Sequence, residues 1–351
     1  MSYTIGLVGC GGIAGAWVKA VEAHDACRIG LVFDLDGEAA ARRAGETGAR
    51  AVTRLEELLG DEGVDIVVVG TPTPSHPDLV EAAARAGKHV LCEKPMALDL
   101  ASCRRMIAVC EEAGVHLAIG HSLRFWTAFL ACRRLVRDGA IGEPVSGSID
   151  RMGTSGLLAV AGDAGGAGGH WRDDVANSGG NVLEGFVHEL DFTRSVFGEV
   201  AAVSGAVSGG RAYGEAASPQ VAQALVAFEN GALVTMRTGS TVALPTRGYW
   251  IGGTEGGLRF GEWGGPVEHY RHDFGERALV ECEPTNAYHL ELCDLVQAIE
   301  GGGPPENSGT NGLKNVALGL GIYRSFETGR RLEYSGGLPL DLPEDYQNTR
   351  F

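Results

Sequence analysis

The chain has 351 residues, 44% of them hydrophobic and 21% charged, and carries a formal net charge of −16 at pH 7. That length exceeds one ordinary hydrophobic core and suits two domains of a globular protein. The acidic balance excludes nucleic acid and anionic membrane as partners, but not a phosphate-bearing cofactor held locally by backbone N–H groups.

No apolar run approaches the length of a membrane-spanning helix. The eight cysteines (10, 27, 92, 103, 110, 132, 282 and 293) form no C-x-x-C pair, and several lie inside apolar runs. They read as buried free thiols of a cytoplasmic protein. Leu7-Val8-Gly9-Cys10 has the outline of a lipoprotein cleavage site. It lacks a basic segment before it, its apolar stretch is too short, and a glycine loop accounts for the same residues.

Tyr3 to Val8 is a short β-rich run, ending in Gly9-Cys10-Gly11-Gly12-Ile13-Ala14-Gly15 and then a helical pattern through Val21. Strand, glycine turn and helix in that order suit a dinucleotide. Gly9 permits the tight turn, Gly11 lets the main chain approach a pyrophosphate, and small Ala14 allows close helix–strand packing. With Gly12 and Ile13, these are the candidate phosphate contacts. A second strand, Ile29 to Phe33, ends in Asp34. A carboxylate there accepts hydrogen bonds from ribose hydroxyls and repels a 2′-phosphate, which favours NAD over NADP. Asp36 is a weaker candidate for the same role, and a turn-forming aspartate is the alternative for both.

The pattern repeats with a helix over about 37–45, a strand near 50–53 and a helix over roughly 54–60. Val64 to Val69 is almost continuously apolar, as a central parallel strand buried on both faces should be. It runs into the proline-studded loop Gly70-Thr71-Pro72-Thr73-Pro74-Ser75-His76-Pro77. Helix 78–87 leads to strand 88–92, which stops at Glu93-Lys94-Pro95. Lys94 is one of only four lysines in the chain. It stands at a strand's C-terminal end, where ligands sit in open α/β sheets. Helix 99–113 and strand 115–119 complete a doubly wound domain. That strand ends at Gly120-His121-Ser122-Leu123-Arg124-Phe125-Trp126. His121 and Arg124 are candidate site residues, with a structural ion pair as the alternative for Arg124.

A helix over about 127–138 and a strand near 145–151 precede residues 153–169, which are mostly Gly and Ala and read as a mobile cover. His170-Trp171-Arg172 follows directly, and Trp171 and Arg172 are candidate pocket walls. Asn177-Ser178-Gly179-Gly180 then opens a helix that ends at Gly198. Glu184, His188 and Asp191, at spacings of four and three, share one of its faces. The same face could hold a metal, but there is no H-E-x-x-H and no nearby cysteine ligand. From about 200 to 281 the chain is β-rich, with a hairpin signalled by Asn230-Gly231. Helices over 286–299 and 309–328 and a short basic and polar tail close the sequence.

Six of these pieces, in this order, resemble the glucose–fructose oxidoreductase / inositol dehydrogenase (Gfo/Idh/MocA) family over nearly the whole length. They are the 9–15 loop, Thr71-Pro72 with His76, Glu93-Lys94-Pro95, 120–125, Ser178-Gly179-Gly180 through Asp191, and the tail from Tyr288 to Gly329. The resemblance implies an N-terminal Rossmann domain, residues 1–122. It implies a C-terminal α+β domain, residues 123–351, with a large open, mostly antiparallel sheet and C-terminal helices at about 286–328. Homodimers or homotetramers through that sheet are implied as well.

The implied activity is hydride exchange between NAD and a hydroxyl-bearing carbon of a sugar or cyclitol. Lys94 looks like the family lysine and His188 like its general acid/base. Thr71, Pro72, His76 and Glu93 look like cofactor-side contacts. Glu184 stands where polyol-oxidising members often have aspartate, one methylene longer. Two other readings share the fold, an NAD-dependent glycoside-cleaving enzyme and a non-catalytic NAD-binding regulator.

Overall fold

The computed structural model describes residues 2–153, 171–208, 221–240, 245–272 and 277–350. The Gly/Ala-rich 153–169 stretch, apart from its first residue, and His170 lie outside the described residues. The chain divides into two compact units. The first comprises Met1–Ser122 with Asn286–Leu313, and the second Leu123–Thr285 with Lys314–Phe351.

The first unit is a six-stranded sheet of β1 (Tyr3–Val8), β2 (Cys27–Phe33), β3 (Arg50–Ala51), β4 (Ile66–Val69), β5 (His89–Cys92) and β6 (Leu117–Ile119). All pairings are parallel, in the order β3-β2-β1-β4-β5-β6. The strand order reverses between β1 and β4, so the loops after those two strands flank the crevice typical of such sheets. Every residue of β1 and β4 is buried, as continuous apolar runs require when helices cover both faces.

Placing every residue after 122 in the second domain misses one exchange. The helix Ala287–Gln297 packs in the first unit, where Tyr288 meets Trp17 edge-on at 5.1 Å and Leu292, Leu295 and Val296 join the core of β1 and β4. Helical periodicity gives that segment an apolar stripe but not the core it serves.

The second unit is a ten-stranded sheet of β7 (Pro144–Met152), β8 (Val200–Ser208), β9 (Val221–Phe228), β10 (Leu233–Gly239), β11 (Thr246–Gly253), β12 (Gly256–Phe260), β13 (Val267–Arg271), β14 (Arg277–Val280), β15 (Leu332–Ser335) and β16 (Leu338–Pro339). Among the described residues, only β10 and β7 pair in parallel in this sheet. The 332–339 stretch, expected as a plain tail, extends this sheet because Leu332 and Tyr334 alternate inward.

One face of the sheet carries the core. Ile149, Val226, Val234, Met236, Tyr249 and Leu258 pack there with Phe186, Leu190 and Phe192. The opposite face keeps Leu225, Leu233 and Trp250 exposed, together with the Arg237–Asp150 ion pair. No helix among the described residues is long and apolar enough to cross a membrane. All eight cysteines are free.

Candidate active site

In the first unit, Gly9 has φ +92, and a Cβ there would stand 2.7 Å from the Gly70 carbonyl oxygen, so only glycine fits the turn. Gly11 and Gly12 are exposed, and a Cβ on either would meet nothing within 4 Å. Open space over bare backbone, directly before the positive end of the helix Ala14–Glu22, suits a pyrophosphate. Ile13 is the residue preceding that helix.

The Asp34 carboxylate accepts the Cys10 N–H through Oδ2 at 2.6 Å and the Asp36 N–H through Oδ1 at 2.8 Å. It is thus fixed at the mouth of the loop with further lone pairs for ribose hydroxyls. Asp36 has a different job. It caps the helix Gly37–Thr47 by accepting the Glu38 and Ala39 N–H groups. Sequence reasoning missed Arg43, whose Nη2 donates to the Gly11 carbonyl at 3.3 Å. Its helix must fold back over the loop before the contact exists, so no local signal announces it.

The loop after β4 and the turn after β5 are braced from inside. His76 is fully buried, with Nε2 at 2.9 Å from the Thr71 carbonyl and Nδ1 at 3.0 Å from the Pro95 carbonyl. Thr71 Oγ1 lies 2.7 Å from Ser75 Oγ, and Pro72 is exposed at the loop surface. Glu93, also buried, accepts the Trp17 indole N–H at 2.9 Å through Oε1 and the Lys94 N–H at 3.2 Å through Oε2. Both residues therefore lock the chain on either side of Lys94, which itself is half-buried.

His121 is fully buried, and its carbonyl accepts from Asn307 Nδ2, which also donates to Glu291 Oε1. In the same region the Tyr288 hydroxyl is pushed up to about 12, by burial first and the Glu93 charge second.

The second unit carries the remaining candidates, and here the structure departs from a single helix over 177–198. Gly179 and Gly180 have φ +72 and +83, which end the turn Val175–Ser178. One turn, Asn181–Glu184, follows, and a separate helix runs over Val187–Phe197. Glu184 and His188 therefore belong to two successive short helices, with Gly185 and Phe186, both in the right-handed helical region, between them.

Asp191 does not join them. It is fully buried and takes a two-pronged bond from Arg124, Nε to Oδ2 at 2.5 Å and Nη2 to Oδ1 at 2.9 Å, plus Asn315 Nδ2 at 2.7 Å. This is the ion-pair alternative for Arg124, with Asn315 tied onward to Arg194. Glu184 Oε1 accepts Arg172 Nε at 2.6 Å, and the Arg172 guanidinium lies 4.6 Å from the centre of the Trp171 ring. Trp171, Arg172 and Glu184 are thus one stacked cluster. His188 is half-buried in the first turn of its helix.

Beside it, Glu189 is fully buried; burial raises its carboxyl pKa, and Arg151 at 3.0 Å pulls it back. No local pattern signals the Arg151–Glu189 pair, because the partners are 38 positions apart.

Comparisons with known proteins bear on both units. The oxidoreductase family with an NAD-binding Rossmann fold matches residues 3–121, and the GFO/IDH/MocA C-terminal domain matches residues 129–259. A 1,5-anhydro-D-fructose reductase of Ensifer adhaerens is 33% identical over 339 residues, covering 95% of this chain and 99% of the relative. A D-apiose dehydrogenase of Paraburkholderia graminis is 32% identical, covering 93% and 88%. Among solved structures, an aldose-aldose oxidoreductase from Caulobacter crescentus complexed with glycerol superposes with a TM-score of 0.84. It is 27% identical and covers 95% of this chain and 100% of that one.

Proposed function

This chain belongs to the Gfo/Idh/MocA oxidoreductase family, and from that premise we propose that it moves a hydride between NAD and a secondary hydroxyl carbon of a sugar or cyclitol. The observation that carries the reading is in the first unit: an open glycine loop after β1 and Lys94 after β5, both at the carboxyl edge of one parallel sheet. Gly9, Gly11, Gly12 and Ile13 would hold the pyrophosphate and Asp34 the ribose hydroxyls. Thr71 and Pro72 would flank the cofactor, while His76 and Glu93 act through the turns they brace. When bound, NAD supplies the hydride acceptor.

The chain's own residues handle the proton and the charge. His188 takes the departing hydroxyl proton, since a neutral imidazole is a base that works near neutral pH. Lys94 stabilises negative charge growing on the oxygen. Glu184, held by Arg172, orients a substrate hydroxyl, and Trp171 offers an aromatic wall for a sugar face. His121, Arg124 and Asp191, by their burial, support the walls from behind. A homodimer or homotetramer through the open sheet face is the proposed assembly.

The test is a panel assayed for NADH formation: myo-inositol, D-apiose, common aldoses and nucleotide sugars with NAD and, in parallel, NADP, plus 1,5-anhydro-D-fructose with NADH in reverse. Turnover of at least one panel compound with NAD preferred is expected. No turnover of any compound would overturn the reading, and cleavage of a glycoside with no net NADH would move it to the redox-neutral alternative.

A further inference from the structure

The break between Glu184 and His188 has an identifiable holder. In an unbroken helix the Gly185 carbonyl would accept the Glu189 N–H. Here the Glu189 N–H turns to the Phe186 carbonyl at 3.0 Å, while the Phe186 N–H reaches five residues back to Asn181 at 3.0 Å. Over-wound and under-wound turns thus meet at one point, a local irregularity that recurs at functional sites. The Gly185 carbonyl accepts Arg151 Nη1 at 2.7 Å instead. The same nitrogen lies 3.0 and 3.3 Å from the two carboxylate oxygens of Glu189.

Arg151 is well placed for this. It sits on β7, where its backbone pairs with Thr238 on one side and Arg247 on the other, so the strand gives it little freedom. Its guanidinium and that of Arg247 lie 5.3 and 5.2 Å from the Trp263 ring centre. The Trp263 indole N–H donates to the Tyr249 hydroxyl at 3.1 Å, and Tyr249 donates to Glu189 at 3.1 Å. A buried carboxylate stabilises a fold poorly compared with an apolar side chain of the same volume. This one is retained next in sequence to His188, at the point where the helix is bent.

We infer that Arg151 is a positioning residue: its guanidinium clamps the Gly185 carbonyl and the Glu189 carboxylate together and so fixes the kink that sets Glu184 and His188. The inference rests on the reading of His188 as acid/base. It extends that reading to a strand residue outside the proposed substrate contacts.

Arg151→Lys keeps the charge but loses the reach of Nη1 to the Gly185 carbonyl and the planar group that lies over the Trp263 ring. Amide hydrogen exchange needs no substrate. Peptides covering residues 181–190 should exchange about tenfold faster in the variant, with the sheet unchanged. With the best panel compound, kcat should fall about 10–100-fold, as for a small misplacement of a reacting group. The NAD dissociation constant should stay within about twofold of the parent, because the proposed phosphate and ribose contacts all belong to the first unit and the substitution leaves them intact. Deuterium at the oxidised carbon should then show a larger isotope effect on kcat, because the chemical step has slowed.

If Arg151→Lys does not fold, Glu189→Gln, which keeps the shape and the acceptor, should give the same pattern more weakly. Unchanged exchange, or a lower kcat with an unchanged isotope effect, would overturn the inference. A fully active His188→Ala variant would instead sink the acid/base reading, and the exchange measurement would still decide the clamp.

Discussion

At the residue scale, the proposed chemistry and its support fall to different side chains. Lys94 is half-buried at a strand end, while its neighbours Glu93 and Pro95 are held by Trp17 and His76. Replacing His188 by Ala, or Lys94 by Met, should therefore slow turnover by roughly 10²–10⁴-fold while the protein stays folded and binds NAD. Normal turnover of a confirmed substrate by either variant would remove that residue from the mechanism. Asp34 makes a second case. Its carboxylate is pinned by two N–H groups, and Arg43 donates to the Gly11 carbonyl of the same loop. Asp34→Ser should raise the ratio of NADP to NAD efficiency by about 10-fold or more, since a charged group near the 2′ position is lost. A ratio that does not move would show that Asp34 holds the loop and nothing else. Lys94, the glycine loop and Asp34 stand out in the sequence as candidates because each is marked by its immediate neighbours. Arg43 and Arg151 do not, since their partners are remote in the chain.

At the scale of elements, the short helices over 175–197 show where local patterning fails. The spacing of Glu184 and His188 is helical, yet the ladder between them is broken and the released carbonyl goes to a strand residue. Asp191 keeps its helical place but turns to Arg124 and the core. At the other end of the first unit, the rings of His89 on β5 and His116 stack at 5.5 Å and 19°. His89 Nδ1 also accepts the His116 N–H at 3.0 Å. Burial chiefly, and the His116 charge next, lower the His89 pKa, with Asp65 opposing. In the unfolded chain His89 takes up a proton near its ordinary value of about 6.5, whereas in the fold it resists. Stability from this site is thus present above about pH 6.5 and is lost as pH falls toward the lowered folded value. His89→Gln, which keeps an acceptor, should flatten the fall in Tm between about pH 7 and 5. Identical Tm profiles for parent and variant would exclude His89 as a contributor.

For the whole molecule, the ten-stranded sheet of the second unit leaves one face with Leu225, Leu233 and Trp250 exposed. These are the residues that the proposed assembly would cover, with a second copy of the chain as the partner. Leu225→Glu with Trp250→Glu should shift the protein to monomer in sedimentation, with NAD binding retained. A parent chain that is monomeric at micromolar concentration would refute the assembly.

The sequence alone determined the parallel sheet with its glycine loop, the hairpin at Asn230-Gly231 and the residue types of the proposed chemistry. These depend on periodicity and on neighbours a few positions apart. Tertiary structure decided that Asn286–Leu313 returns to the first unit, that Arg124 serves Asp191, and that the helix bends before His188. Each of those depends on which buried side chain or carbonyl finds a partner tens of residues away, and no local pattern encodes that choice.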